Sequence, residues 1–187
     1  MENREENKER ESGKRTDGLV HIYCGDGKGK TTASVGAAVR AAGSGKKVLF
    51  YQFLKNNSSS ERSILEKQLG INVVSGKELQ KFTFQMNEEE LKELRDYNNE
   101  MLDKLFEMAK DYDMLVLDES VYSIDKDLLD EAKLIEHLEK KPFALEVVLS
   151  GRNPSERLID HADYVSEIRK VKHPFDQGIS SRIGIEM

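Results

Sequence analysis

From Gly18 onward the chain alternates short apolar runs with stretches whose apolar residues recur at helical spacing. Leu19 to Cys24, Lys47 to Phe53 and Ile71 to Val74 read as strands, with Lys30 to Ala42 and Ser60 to Leu69 as the helices between them. The first helix carries Ala33, Ala37, Ala38, Ala41 and Ala42, small side chains that allow close approach to a sheet, and Gly43-Ser44-Gly45 ends it. Asn87 followed by Glu88-Glu89-Glu90 is a cap with acids in the first turn; Leu91, Leu94, Met101, Leu102, Leu105 and Met108 keep helical spacing to about Lys110. Met114 to Leu117, a continuous apolar run ending in Asp118-Glu119, predicts a central strand covered on both faces. Leu128, Leu129, Ala132, Ile135 and Leu138 mark a helix that stops before Pro142, and Ala144 to Leu149 reads as another buried strand. Asn153-Pro154-Ser155-Glu156 reads as the cap of a short helix with proline in its first turn. This alternation predicts an α/β fold, a mostly parallel central sheet flanked by helices.

Met1 to Asp17 breaks the pattern. It is nearly all charged or polar and cannot bury enough surface to order itself, so it is expected to be a flexible tail, or a helix that orders only on a partner or ligand. Residues 18–187 are expected to form a single domain, since 187 residues with 37% hydrophobic content suit one core of ordinary size. Internal repeats are absent.

The stretch Gly25-Asp26-Gly27-Lys28-Gly29-Lys30-Thr31-Thr32 lies between the first strand and the alanine-rich helix. That is where a phosphate-cradling loop belongs: glycines let the backbone turn tightly, and N–H groups at a helix start face an anion. Lys30 would supply a mobile positive charge for the outer phosphates and Thr31 a hydroxyl for Mg²⁺. The usual spacing of such a loop asks for glycine at position 24, where this chain has Cys24. The fold expected is therefore P-loop NTPase-like (RecA-like), handling a nucleoside triphosphate.

In open α/β sheets ligands bind beyond the carboxyl ends of the strands. The residues there are Gly25 to Thr32, Lys55-Asn56-Asn57, Asp118-Glu119 and Ser150-Gly151-Arg152. Asp118 and Glu119 supply hard oxygen ligands for Mg²⁺, and the sequence leaves open which of them touches the ion. Arg152 offers a planar donor to phosphate. Phe82 and Phe84 stand in a polar neighbourhood and read either as an edge strand burying one face or as the wall for a flat apolar ligand.

Charge and composition narrow the partners. Twenty-nine basic against 35 acidic residues argue against nucleic acid or an anionic membrane as the main partner. No apolar stretch approaches the ~20 residues needed to span a bilayer, and the charged N-terminus lacks the apolar centre of a secretion signal, so a cytoplasmic protein is expected. Cys24 is the only cysteine, which excludes an internal disulfide and reads as a small packing residue. His21, His137, His161 and His173 form no pair with metal-ligand spacing, so no zinc site is expected.

With these residues in hand, the chain resembles the corrinoid adenosyltransferases, which transfer adenosyl from ATP to cobalamin-type corrinoids. The resemblance is carried by Gly25 to Ala33, Tyr51-Gln52-Phe53-Leu54-Lys55, Glu61-Arg62, Phe82-Thr83-Phe84 and Val116-Leu117-Asp118-Glu119. It continues through Ser150-Gly151-Arg152, Ala162-Asp163, Val165-Ser166-Glu167 and Val171-Lys172-His173-Pro174-Phe175-Asp176-Gln177-Gly178, and so covers the chain from about Gly18 to Met187. The last of these segments has no chemical reading of its own; the resemblance alone gives it meaning.

The resemblance implies that a corrinoid cobalt reduced to Co(I) attacks C5′ of ATP and expels the whole triphosphate, which the loop holds in a reversed orientation. Lys30, Arg152 and Mg²⁺ would neutralise the leaving group, and no general base is needed because Co(I) is itself a strong nucleophile. It further implies that Phe82 and Phe84 line the lower face of the corrin and displace its axial ligand, that the protein is a homodimer, and that a reduced flavoprotein supplies electrons. The chain departs from the family pattern at Cys24, where threonine is common, at Asn56-Asn57, where glycine follows the lysine, and at Phe84, where tryptophan is frequent. The N-terminal tail is also short for the helix that covers the corrinoid site in family members. The competing readings are a small P-loop NTPase or kinase, which would release ADP and phosphate, and a nucleotide-gated corrinoid-binding protein that forms no cobalt–carbon bond.

Overall fold

The computed structural model describes residues 17–185, so all but the last residue of the expected polar tail lies outside the described part. Six strands form one sheet: β1 (Val20–Cys24), β2 (Val48–Gln52), β3 (Asn72–Val73), β4 (Met114–Asp118), β5 (Glu146–Ser150) and β6 (Tyr164–Glu167). Their order across the sheet is β3-β2-β4-β5-β1-β6, and every pairing is parallel. The helices are α1 (Lys30–Gly43), α2 (Ser60–Leu69), α3 (Glu88–Met108), α4 (Ser120–Asp125), α5 (Glu131–Lys140) and α6 (Glu156–Asp160). No described helix is long and apolar enough to cross a membrane.

A parallel sheet needs a crossover between neighbouring strands, and the crossing helices bury both of its faces. The side-chain alternation of a strand then divides the core in two. Leu49 and Tyr51, Leu115 and Leu117, and Val147 and Leu149 share one face with Leu102, Leu105, Leu134 and Leu138. Val48 and Phe50, Met114 and Val116, and Val148 share the other with Ala38, Ala41 and Leu65. The expected close approach of the alanine-rich helix is thus realised at Ala38 and Ala41. Asn87 caps α3, accepting from the Glu90 N–H at 2.9 Å while Glu90 accepts from the Asn87 N–H at 2.9 Å.

Two elements escape the hydrophobic pattern and two expectations are overturned. β6 is an edge strand exposed along all four residues, so it lacks an apolar alternation, and α4 follows directly from the Asp118-Glu119 turn. Phe82 and Phe84 are not in a strand: Thr83–Gln85 forms a single 3₁₀ turn, with the two rings stacked on each other outside the sheet. The cap of α6 is also corrected. Ser155 accepts from the Leu158 N–H at 3.0 Å, leaving Pro154 before the helix, while Asn153 turns away to donate to Asp125 at 3.1 Å.

Candidate functional site

The loop after β1 is shaped by a close backbone crossing. Gly25 and Gly29 hold φ of +107° and +127°, conformations that side chains other than glycine's resist. A Cβ at Gly25 would lie 2.4 Å from the Ile168 carbonyl oxygen, and one at Gly27 would lie 2.8 Å from the Arg169 carbonyl. The chain leaving β6 therefore rests directly on the loop. Gly27 N–H donates to the Ile168 carbonyl at 2.8 Å, and Asp26 accepts from the Lys170 N–H at 2.8 Å. That bond, the largest of several influences, holds the Asp26 carboxyl below the ordinary aspartate range. Two of the loop's glycines thus serve the approach of this segment as well as the turn.

Lys30 opens α1 and is only 9% exposed. Its ammonium donates to the Gly27 carbonyl at 2.7 Å, across the hollow of the loop. Burial, and then the positive charge of Arg152, lower its pKa from the usual lysine value. An anion in the hollow would relieve both effects. Lys28 and Thr32 are exposed.

Asp118 ends β4 and is fully buried. Register places it opposite Gln52 of β2, and its carboxylate collects donors from four segments. Thr31 Oγ1 donates at 3.1 Å, Lys55 Nζ at 2.8 Å, Gln52 Nε2 at 3.1 Å and Ser150 Oγ at 2.5 Å. Lys55 Nζ also reaches Thr31 Oγ1 at 3.0 Å. Glu119 follows with φ +59°, a left-handed turn fixed by its N–H donating to Ser150 Oγ at 3.0 Å. Burial first, and the Asp118 charge second, push the Glu119 carboxyl above its ordinary value.

These groups fit a hydrated divalent cation. Thr31, Asp118 and Glu119 are hard oxygen donors, and a cation beside the Glu119 carboxyl, which burial chiefly holds above its ordinary value, would favour its charged form. Gln52 Oε1 is buried with no hydrogen-bond partner among the described residues, while Nε2 of the same amide donates to Asp118, so an unfilled acceptor accompanies the acid. Among the described residues no group of three His, Cys, Asp or Glu side chains could hold a metal by itself.

A cavity of about 300 Å³ opens over the loop. Asp26, Lys28, Lys30, Glu119 and Arg152 form one wall, and the segment from His173 to Ser181 supplies the other. Pro174–Gln177 makes a 3₁₀ turn there, with His173 accepting from the Phe175 N–H at 3.1 Å. Lys30, Glu119 and Arg152 are therefore brought together, with Thr31 and Asp118 adjoining. Phe82 and Phe84 do not line this cavity; they are 70% and 82% exposed, parallel rings with centroids 5.4 Å apart. Cys24 is buried with its thiol pKa raised chiefly by that burial, in keeping with a packing role.

Sequence reasoning missed Gln52 and Ser150 as partners of Asp118, and the segments 168–170 and 173–181 as parts of the site. Gln52 carries a usable signal, since a glutamine ending a wholly buried strand needs a polar reason to be there.

Comparison with known proteins agrees with these features. A family model described as ATP:corrinoid adenosyltransferase BtuR/CobO/CobP matches residues 16–187. The chain is 35% identical over 174 residues to the Corrinoid adenosyltransferase of Escherichia coli K12, covering 90% of this chain and 85% of that one. It is 36% identical over 174 residues to Corrinoid adenosyltransferase CobA of Salmonella typhimurium LT2, with the same coverage. A Corrinoid adenosyltransferase of Sinorhizobium is 34% identical over 172 residues, covering 90% of this chain and 80% of its own.

Proposed function

The chain belongs to the ATP:corrinoid adenosyltransferase family, and on that premise we propose that it transfers the 5′-deoxyadenosyl group of ATP to the Co(I) centre of a corrinoid, releasing triphosphate. The observation that carries this reading is the shared cavity. The glycine-rich loop, common to many nucleotide enzymes, and the His173-Pro174-Phe175 ending, distinctive of this family, face each other across it.

In the reaction the cobalt electron pair forms the Co–C5′ bond while the C5′–O5′ bond breaks, and that bonding pair leaves with the triphosphate. The protein needs no base; it must hold C5′ in line and steady a departing polyanion. Lys30, buried in the loop, and Arg152, on the same wall of the cavity, are the catalytic cations. Gly25, Asp26, Gly27, Lys28, Gly29, Thr31 and Thr32 complete the ATP loop, with Asp26 acting through its tie to Lys170. Thr31, Asp118 and Glu119 would hold Mg²⁺, which when bound spreads the triphosphate charge. Residues 18–187 act as one nucleotide- and corrinoid-binding domain.

Phe82 and Phe84 present the corrin's lower face with an apolar surface. Two stacked rings exposed to water are costly unless something covers them, and a flat macrocycle does so while excluding axial water. Four-coordinate cobalt is then easier to reduce. Phe84→Ala is expected to slow adenosylation starting from Co(II) about tenfold, the loss typical of one aromatic contact, while reactions supplied with free Co(I) change far less. Equal losses in the two assays would remove the proposed role.

The enzyme works as a cytoplasmic homodimer fed by a reduced flavoprotein. A reducing compartment suits both Co(I) and the unpaired Cys24 thiol, and exposed apolar side chains such as Val171 and Ile183 would gain from burial against a second copy. An anaerobic mixture of protein, MgATP and chemically reduced corrinoid tests the central claim. Decay of the Co(I) absorbance with release of triphosphate and a light-sensitive product is the expected result. ADP and phosphate would instead indicate a kinase or NTPase, and corrinoid binding without a cobalt–carbon bond a regulatory protein.

A further inference from the structure

Three consecutive residues after β2 touch two different parts of the molecule. Lys55 reaches inward to Thr31 at 3.0 Å and Asp118 at 2.8 Å, at the phosphate end of the site. Asn57 turns the other way and closes a two-bond ring with the backbone of Gly76: its Nδ2 donates to the Gly76 carbonyl at 3.0 Å, and the Gly76 N–H donates to its Oδ1 at 2.9 Å. Asn56 accepts from the Leu79 N–H at 2.8 Å. The segment so gripped leads directly to Phe82 and Phe84.

The base of that segment has little freedom to slide. A Cβ on Gly76 would sit 2.7 Å from Tyr51 Oη, so its backbone lies against the tip of the Tyr51 side chain, and Arg62 of α2 donates to the Val74 carbonyl at 3.2 Å. Lys81 and Glu90, 2.6 Å apart, tie the far end to the start of α3.

We propose that Lys55-Asn56-Asn57 is a positioning strut, in which Lys55 engages the Thr31–Asp118 pair while the two asparagines hold the backbone of residues 76–79, so that the Phe82–Phe84 pair is set relative to the triphosphate. When a polyanion enters the loop it competes with Asp118 for the Lys55 ammonium, and the adjustment of Lys55 is passed within two residues to Gly76. The part that concerns the corrinoid rests on the adenosyl-transfer reading; the link between nucleotide and segment 76–79 does not.

Amide hydrogen exchange on the full chain, with and without MgATP, is the first readout. In the wild type MgATP alters exchange at Gly76 and Leu79; in Asn57→Ala the Gly76 amide exchanges about tenfold faster and no longer responds, while the MgATP Kd stays within about twofold. The second readout is steady-state kinetics. Asn57→Ala raises KM for the corrinoid about tenfold with kcat nearly unchanged, the signature of lost positioning of a bound partner. Asn57→Asp keeps the acceptor for the Gly76 N–H and loses the donor, so it retains protection at Gly76 and recovers part of the KM.

An MgATP response at residues 76–79 that persists in Asn57→Ala overturns the strut. So does a parallel loss of MgATP affinity, kcat and corrinoid KM, which marks a general structural role. Failure of the wild type to form a cobalt–carbon bond would instead remove the adenosyl-transfer reading, and the exchange comparison would still decide the strut.

Discussion

Replacing Lys30 by alanine is expected to lower kcat/KM for ATP about a thousandfold. A unit charge about 4 Å from a phosphate oxygen is worth ~4 kcal/mol at the effective dielectric of such sites, and that difference in barrier is a factor of about 10³. Lys30 qualifies for the full effect because it is 9% exposed and rests on the Gly27 carbonyl, already inside the loop. Arg152 is exposed, so water and salt weaken its field and its loss should cost less. Alanine is a good helix former at the start of α1, whose packing rests on Ala38 and Ala41, so the fold should survive. The same geometry sets a pH effect. Since burial and Arg152 lower the Lys30 pKa, the free enzyme loses the required ammonium at a lower pH than an ordinary lysine would allow. The alkaline fall in kcat/KM therefore begins early, and Lys30→Arg, which does not titrate in that range, should remove it even if its longer fork lowers the plateau. Triphosphate release measured across pH checks both statements. An unchanged rate in Lys30→Ala would mean that the phosphates are held elsewhere.

The parts of the fold that could be read from the sequence are those whose burial is complete. β2, β4 and β5 are covered on both faces, so they appear as unbroken apolar runs, and α3 announces itself through Asn87 and Glu90. β6 is short, exposed and half polar, and its reason for being a strand is the free edge of β1, which no local pattern encodes. Phe82 and Phe84 misled the pattern for the opposite reason. Aromatic residues two apart imitate a strand, but both rings stand largely exposed among the described residues. The loop, Lys30 and the Asp118-Glu119 pair were legible because strand-end position and residue type suffice to mark them. The donors around Asp118 were not. Gln52 is 66 residues away and Ser150 is 32, and they meet it only once the parallel register of β2, β4 and β5 is set. The wrapping of the loop by residues 168–170 is likewise a consequence of β6 pairing beside β1, and only afterwards do Gly25 and Gly27 acquire a second reason to be glycine.

Asp118→Asn should cut kcat/KM by about two orders of magnitude and raise the Mg²⁺ concentration needed for half-maximal rate. The substitution conserves shape but halves the accepting capacity at a site where Thr31, Lys55, Gln52 and Ser150 all donate. In place of Oδ1 the new amide faces the Ser150 hydroxyl, which can rotate but already accepts from the Glu119 N–H. In place of Oδ2 it would confront the Lys55 ammonium and the Gln52 amide, so the first orientation wins and Oδ2 alone remains an acceptor. Lys55 then loses a full negative partner, but at 28% exposure it can turn to water. The stability cost should therefore fall below the roughly 3–5 kcal/mol seen when a wholly buried pair is broken. The catalytic loss has a separate origin. A neutral amide is a poor ligand for a hard divalent ion, and the Thr31 hydroxyl loses the anion that orients it. Glu119→Gln provides the comparison, because Glu119 is held in its turn by backbone and by Ser150 and can change charge without disturbing the donors to Asp118. The variant whose Mg²⁺ requirement rises more identifies the acid nearer the ion. If Asp118→Asn lost stability but kept the wild-type Mg²⁺ dependence, Asp118 would be an anchor for Lys55 and Gln52 with no part in holding metal.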